Sequence, residues 1–270
     1  MTTASNQEHR YERITPPRLT LTPSKLRDYL ICPLAYKLKI GARCNAQGES
    51  PSLAFGNSLH RALEEVYKPS SAIQPTQADA VLRRCWEANG YADEREAATY
   101  FERGARALRR YIETNINEVG ETLGTELYLS RFVQINGTPV RLGCKIDRLK
   151  HLPNGVLEAL DYKTTLSGRV PTEEWFAADL PTFIYYTLVR FAYPDCPQVV
   201  VSQLNLLTLA KVTVAYQEED IEANKQALRR VVSEMAAGNF EPRPSADCAW
   251  CSVKEQCPLL GGEADLNDLT

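Results

Sequence analysis

Near residue 122 the hydrophobic pattern of the chain changes period, and neither an all-helical nor an all-strand fold can absorb that change. Before it, apolar residues recur at helical spacing. In "FGNSLHRALEEVY", Leu59, Ala62, Leu63, Val66 and Tyr67 form one stripe with His60 at its edge. Stretches near 77–89 and 93–118 repeat the pattern, the second turning Phe101, Ala105, Leu108 and Ile112 inward. After it, "TELYLSRFVQI", "TPVRLGCKIDRLK", "GVLEALDYKT", "PQVVVSQLNLLT" and "KVTVAYQ" are strand-like runs, separated by turn signals such as Asn136-Gly137 and Asn154-Gly155. Helical spacing returns in "PTEEWFAADLPTFIYYTLVRFAY" as one or two helices, and in "EEDIEANKQALRRVVSEMAAG" as one amphipathic helix. The outcome is a mixed α/β chain.

Period two in "VRLGCKIDRL" puts Val140, Leu142, Cys144 and Ile146 on one face and Arg141, Gly143, Lys145 and Asp147 on the other. In the next run Leu157, Ala159, Asp161 and Lys163 share a face. A turn at Pro153-Asn154-Gly155 joins the two, so Asp147, Asp161 and Lys163 are expected on one side of a sheet. Two carboxylates can hold a hard divalent cation, which activates water and stabilises a pentacovalent phosphate, while a lysine orients the attacking water. On these residues alone the commoner outcome is a cross-strand salt bridge.

Three motifs in order shift that balance. Gly143-x-x-x-Asp147-Arg148, then Asp161-Tyr162-Lys163, preceded upstream by Gly56-x-x-x-His60-x-x-Leu63-Glu64, resemble the PD-(D/E)XK nuclease superfamily and, more narrowly, its RecB-like branch. The resemblance implies a restriction-endonuclease-like core, a mixed central sheet flanked by helices. It implies Mg²⁺ or Mn²⁺ held by His60, Asp147, Asp161 and the Tyr162 carbonyl, with Lys163 orienting water. Glu126 is a further acid that the motif does not demand. The branch commonly carries Gln-x-x-x-Tyr after the lysine strand. Here Pro181 replaces the Gln and Tyr185 is kept.

Cys248-x2-Cys251-x5-Cys257 brings three thiols close, and by spacing alone zinc is the common ligand and an iron–sulfur cluster the alternative. Resemblance to the iron–sulfur members of the branch, AddB-type nuclease domains and the CRISPR adaptation nuclease, adds a fourth. "SKLRDYLICPLAY" carries Ser24, Leu26, Tyr29, Cys32, Pro33 and Tyr36 in the expected context, and the downstream trio ends in Cys257-Pro258. The implied cofactor is a [4Fe–4S] cluster on Cys32, Cys248, Cys251 and Cys257, stapling residues more than 200 positions apart. Cys44, Cys85, Cys144 and Cys196 are scattered and read as ordinary core or surface residues.

A helix is expected to start at Thr22 or Ser24 and to end around Cys32, where Pro33 breaks it. The expected organisation is a disordered polar tail over 1–18 and one nuclease domain over 19–260. Within that domain lie a helical segment at about 70–120, a sheet and active site at about 122–215, and an iron–sulfur region at 240–258 joined to Cys32. An acidic tail follows over 261–270.

The implied activity is a metal-dependent DNA exonuclease acting on single strands or free ends, in DNA repair, recombination or related processing. The alternative is a catalytically impaired DNA-end-binding subunit of a helicase–nuclease or CRISPR adaptation complex, favoured by Pro181 alone. No phosphate-binding Gly-x-x-x-x-Gly-Lys-[Ser/Thr] loop is present, so the expectation is a free-standing nuclease module or one subunit of a complex whose motor, a helicase or an adaptation partner, lies elsewhere. Tyr185 and Arg148 are the expected strand holders, with Tyr36, Trp175, Phe176 and Tyr186 as stacking candidates. Arg103, Arg106 and Arg110 share a helix face whose ordinary reading is solvated charge and whose alternative is phosphate contact. A net charge of -3 argues against a protein that coats nucleic acid along its whole surface. With no secretory signal and no apolar run long enough for a bilayer, a reducing, cytoplasmic location without membrane contact is expected.

Overall fold

Two long strands, β2 (Glu121–Ile135) and β3 (Thr138–His151), set the frame. Asn136 and Gly137 both take positive φ, 48° and 75°, at the two-residue turn that joins them. That backbone matches the right-handed twist of the flanking strands, which is why Asn-Gly serves there. The computed structural model describes residues 19–41, 50–68, 71–115 and 118–260. The expected tails over 1–18 and 261–270, and Cys44, lie outside the described residues.

The sheet has the order β1–β3–β4–β5–β6, with β2 also paired to β3. β4 (Leu157–Lys163) pairs antiparallel with β3, and β5 (Val199–Asn205) pairs parallel with β4. β6 (Lys211–Val214) closes that edge antiparallel to β5. Parallel pairing of β4 and β5 requires a crossover. It is supplied by α6 (Glu173–Ala178) and α7 (Leu180–Ala192).

β1 (Leu19–Leu21) was not expected from the sequence. It runs parallel to β3 from Leu19↔Val140 to Leu21↔Leu142, and extends the sheet outside the range 122–215. β2 occupies one edge of β3 along its length, so β1 and β4 share the other edge. The β1 pairs stop at Leu142 and the β4 pairs begin at Arg148. Between them, Gly143 to Asp147 have no strand partner on that edge. This fork positions the site.

Helices cover both faces. On one, α1 (Pro23–Ile31), α6, α7 and α8 (Glu218–Ala236) pack Leu26, Phe183, Ile184 and Val232 against Val140, Leu142, Ile146 and Val201. On the other, α3 (Pro51–Val66), α4 (Ala78–Cys85) and α5 (Glu94–Asn115) pack Phe55, Leu59, Leu82 and Leu108 against Leu160, Tyr162 and Leu204. Pro33 does end α1, holding Cys32 extended. It also opens α2 (Pro33–Gly41), because a first-turn proline has no N–H to lose. Among the described residues no helix is long and apolar enough to cross a membrane.

Candidate metal centre at the sheet fork

Asp147 sits where β3 loses its regular alternation. Val140, Leu142, Cys144 and Ile146 enter one core, and the next β3 residue to rejoin it is Leu149, one position out of phase. Opposite, Glu126 of β2 adopts φ 51°, a left-handed conformation that costs a non-glycine residue energy and clusters at functional sites. The irregularity frees Asp147 from the ladder. Its Oδ2 accepts the backbone N–H of Tyr162 at 2.6 Å. Its Oδ1 lies 3.3 Å from His60 Nδ1.

His60 reaches the sheet from α3 because the helix can come close there. A Cβ on Gly56, one turn earlier, would stand 3.2 Å from Thr164 Oγ1, tighter than ordinary packing. The Gly-x-x-x-His spacing therefore has a direct cause: the glycine admits the loop after Lys163, and the histidine one turn on faces the acids. His60 Nδ1 also lies 4.0 Å from Glu126 Oε1, and Glu126 pairs with Lys145. Ligand atoms of His60, Glu126 and Asp147 all fall within 4.8 Å of one another.

Asp161 stands across the gap. Its Oδ1 accepts the Tyr185 hydroxyl at 3.4 Å, and its Oδ2 is 2.6 Å from Lys163 Nζ. Tyr185 comes from α7, on the face opposite α3, so the expectation that Asp147 and Asp161 share one side of the sheet is corrected. They approach from the two faces through the fork. Gly56, His60, Glu126, Lys145, Asp147 and Lys163 line a common cavity of about 500 Å³.

The electrostatics of this cleft are those of crowded carboxylates. Burial disfavours the imidazolium of His60, but the hydrogen bond and charge of Asp147, with Asp161 and Glu126, outweigh it and raise its pKa. Burial raises the carboxyl pKa of Asp161, and the charge of Asp147 adds to it against the pull of Lys163. Burial works against the ammonium of Lys163, yet Asp161 and Asp147 raise its pKa overall. Tyr185 is raised well above the phenol range by burial, then by Asp161 and Asp147. Three carboxylates, Glu126, Asp147 and Asp161, meet here with His60, Lys145 and Lys163. Hard carboxylate oxygens and one imidazole are a donor set that suits a Mg²⁺- or Mn²⁺-type ion.

Glu126 enters this group more directly than the motif suggested, and Asp161 less so. Lys145 had no role assigned; its signal was period two, which puts it on the same side of β3 as Asp147. Tyr162 contributes its N–H to Asp147, while its phenol is buried and hydrogen-bonded to Tyr111 at 2.8 Å.

Three expected DNA contacts are corrected. Arg148 is 3% exposed, with its guanidinium 3.5 Å over the Tyr67 ring. It donates to Thr122 Oγ1 at 3.0 Å, Glu118 Oε2 at 2.9 Å and the Tyr111 hydroxyl at 3.3 Å. The phase slip after Ile146 is what takes it off the Ile146 face and sets it against Tyr67 and Tyr111. Tyr36 is buried against Tyr29 and Phe240, and Phe176 is buried in the core, so neither offers a ring to a base. Trp175 is exposed; Tyr186 is half-buried and stacks on Phe183. Pro181 lies buried in the first turn of α7, where Asp179 caps the helix by accepting Thr182 N–H at 3.1 Å. The helix accommodates it, and Tyr185 still reaches Asp161.

Cys32, Cys248, Cys251 and Cys257 line one cavity of about 610 Å³. Cys32, Cys251 and Cys257 also pack against Leu34, Leu38 and Val253. Among the described residues no three of these thiols come within 4.8 Å of one another. The structure thus brings the four together around a space without gathering them as a ready ligand set.

The sequence matches the family described as the PD-(D/E)XK nuclease superfamily over residues 20–258. No curated protein matches it. A solved structure from Eubacterium rectale, described as a "putative exonuclease", is 12% identical, with 93% of each chain covered and a TM-score of 0.50. Another, described as SSO0001, is 14% identical, covering 84% of this chain and 94% of that one, with a TM-score of 0.39. At such identities the first likeness speaks to fold alone.

Proposed function

The chain belongs to the PD-(D/E)XK nuclease superfamily, and from that premise we propose that it is a divalent-metal-dependent deoxyribonuclease, an exonuclease acting on single strands or free ends. The observation that carries the reading is the fork. α3, β2, β3 and β4 bring His60, Glu126, Asp147 and Lys163 to one cleft, and Asp161, bonded to Lys163 and to Tyr185 of α7, meets them at the fork from the other face. A surface salt bridge needs none of that convergence.

His60, Glu126 and Asp147 would hold the cation, with Asp161 at its other side. A bound Mg²⁺ or Mn²⁺ supplies charge stabilisation at the scissile phosphate and lowers the pKa of water. Lys163, fixed by Asp161, orients the attacking water and faces the phosphate with positive charge. Tyr185 holds Asp161 in place through its hydroxyl. The exonuclease and single-strand preferences rest on resemblance to the RecB-like branch. So does a setting in repair, recombination or CRISPR adaptation with a helicase or another partner protein.

The same branch resemblance underlies a [4Fe–4S] cluster on Cys32, Cys248, Cys251 and Cys257. Support comes from the shared cavity and from two backbone donors aimed at sulfur. Arg243 N–H lies 3.4 Å from Cys32 Sγ, and Ser245 N–H lies 3.4 Å from Cys248 Sγ. A single zinc, with Zn–S near 2.3 Å, draws tetrahedral thiolates to about 3.8 Å apart. No three of the four thiols meet within 4.8 Å among the described residues, so the choice of the cluster over zinc rests on the branch resemblance. Protein purified anaerobically is expected to be brown and to carry iron and sulfide; colourless protein with one zinc refutes this part.

The activity is tested by incubating end-labelled single-stranded DNA with Mn²⁺ and wild type, Asp161→Ala or Lys163→Ala. Wild type shortens the strand progressively and both variants do not. Binding without cleavage by wild type would overturn the catalytic reading in favour of an end-binding subunit.

A further inference from the structure

Beyond the metal site, α5 carries Arg103, Arg106 and Arg110 on one face at helical spacing. They line a separate cavity of about 620 Å³ whose other wall is Leu166, Leu207 and Thr208. Their charge is little compensated. Among the described residues, Arg106 has one acidic neighbour, Glu102 at 3.8 Å, and both side chains are mostly in solvent, where such a pair contributes little. Arg103 lies near the Tyr100 ring and forms no ion pair among the described residues. Arg110 donates to the Leu207 carbonyl, which fixes its guanidinium at the rim. In a chain of net charge -3, three such cations around one hollow are a local excess.

The wall of this hollow continues the wall of the metal cleft. Lys163, Thr164 and Thr165 line the cleft, and Leu166, the next residue, lines the arginine cavity. The segment between is held rigidly. Lys163 O accepts Leu206 N–H at 2.8 Å, and the Asn205 amide donates to Thr165 O at 3.0 Å and to Thr165 Oγ1 at 2.8 Å. Asn205 Oδ1 in turn accepts the N–H of Leu207 at 2.9 Å, and Thr208 Oγ1 donates to Gly168 O at 2.9 Å. From Lys163 to Leu166 is three residues, at most about 11 Å of chain. Phosphates in a strand recur every ~3.4 Å or more. The wall that carries the arginines thus begins at most about three nucleotides from Lys163.

We propose that Arg103, Arg106 and Arg110 form a phosphate track for the single strand being cut, running from the Lys163 cleft over the Thr164–Gly168 loop onto α5. This rests on the nuclease reading above. The contacts are to backbone phosphates and carry no sequence preference, as expected for a channel that admits any strand. Arg103, with no ion pair among the described residues, and the solvated Arg106 are the two that follow the strand.

The test measures binding of a fluorescent 20-nucleotide oligothymidylate by anisotropy, in EDTA, from 50 mM to 1 M salt. Wild type is compared with Arg103→Gln/Arg106→Gln and with Arg95→Gln, an exposed residue on the same helix outside the cavity. Each phosphate contact on a single strand contributes a slope of about −0.7 in log K against log salt, roughly eightfold in affinity across that range. The double variant should bind on the order of fiftyfold more weakly at 50 mM salt, with a slope shallower by about 1.4. Arg95→Gln should match wild type. A double variant with wild-type affinity and slope overturns the track and leaves the arginines to solvent or to an acidic protein surface. Lost affinity with an unchanged slope overturns it as well, since phosphate contact must alter the slope. Degradation of the same oligonucleotide by wild type with Mn²⁺ is scored in parallel. If it is absent the nuclease reading fails, whatever the arginines do; if it is present, the binding result judges the track alone.

Discussion

Replacing Arg148 with Met separates a structural arginine from a DNA-binding one. The substitution keeps the side chain's length and apolar stem but removes three hydrogen bonds, to Thr122, Tyr111 and Glu118, and the stacking over Tyr67. Breaking a buried ion pair costs about 3–5 kcal/mol, much of it from the partner left uncompensated. Here Glu118 is partly exposed and retains Lys150, so it can rehydrate, which argues for the low end, about 3 kcal/mol. The Tyr111 hydroxyl keeps Tyr67 and Tyr162 as partners at 2.8 Å each and adds little to the loss. For a chain of this size about 1 kcal/mol moves Tm by ~2–4 °C, so a fall of roughly 6–12 °C is expected by circular dichroism. Affinity of the folded variant for single-stranded DNA, measured well below its Tm, should match wild type. A Tm within about 2 °C of wild type together with several-fold weaker DNA binding would refute the reasoning and return Arg148 to the strand.

Other consequences follow from the same geometry. Glu158 is 2% exposed and bonded to Ser202 and Lys211 beside Lys150. Burial alone would raise its pKa, but the charge and hydrogen bond of Lys211, the Ser202 hydroxyl and Lys150 lower it below its ordinary 4.5. A lowered carboxyl pKa contributes stability that is complete above pH 4.5 and lost as pH falls through the folded value. Urea unfolding of Glu158→Gln should therefore show a shallower stability decline below pH 4.5 than wild type, though from a lower value at pH 7; parallel curves would contradict this. Glu126→Gln should weaken Mn²⁺ binding at least about tenfold by calorimetry, a loss typical even of groups that only support a ligand. Gly56→Val should push α3 from Thr164 and lower the cleavage rate by on the order of 100-fold, the cost of misplacing a catalytic group by about 1 Å, with a Tm loss of only the few degrees that overpacking causes; a wild-type rate would contradict this.

The elements were legible wherever local chemistry decided them. The period change announced helices before residue 122 and strands after it, and Asn136-Gly137 announced the hairpin. His60, Asp147, Asp161 and Lys163 were legible as a set because motif spacing reports which side chains an architecture gathers. What escaped was fixed by pairing between distant segments. β1 is three residues long, too short for any periodicity, yet its place on β3 creates the fork. The phase slip between Ile146 and Leu149 then moves Arg148 off the face of Ile146 and onto the side of Tyr67 and Tyr111, which a strict period of two cannot foresee. Tyr36 looked available because its helix was read as ending at Pro33, whereas α2 buries it against Phe240. Pro181 was legible as a replaced glutamine but not as a first-turn residue, the place in α7 where a proline leaves the helix intact.

The central claim, that the fork is a divalent-metal site, is tested most directly by Mn²⁺ anomalous diffraction from crystals of the wild-type protein. A metal site there gives one strong peak at the fork, with His60 Nδ1 and a carboxylate oxygen of Asp147 among its ligands, and the peak disappears in Asp147→Asn. A peak elsewhere, or a fork left empty at saturating Mn²⁺ while His60 and Asp147 keep their 3.3 Å contact, would contradict it.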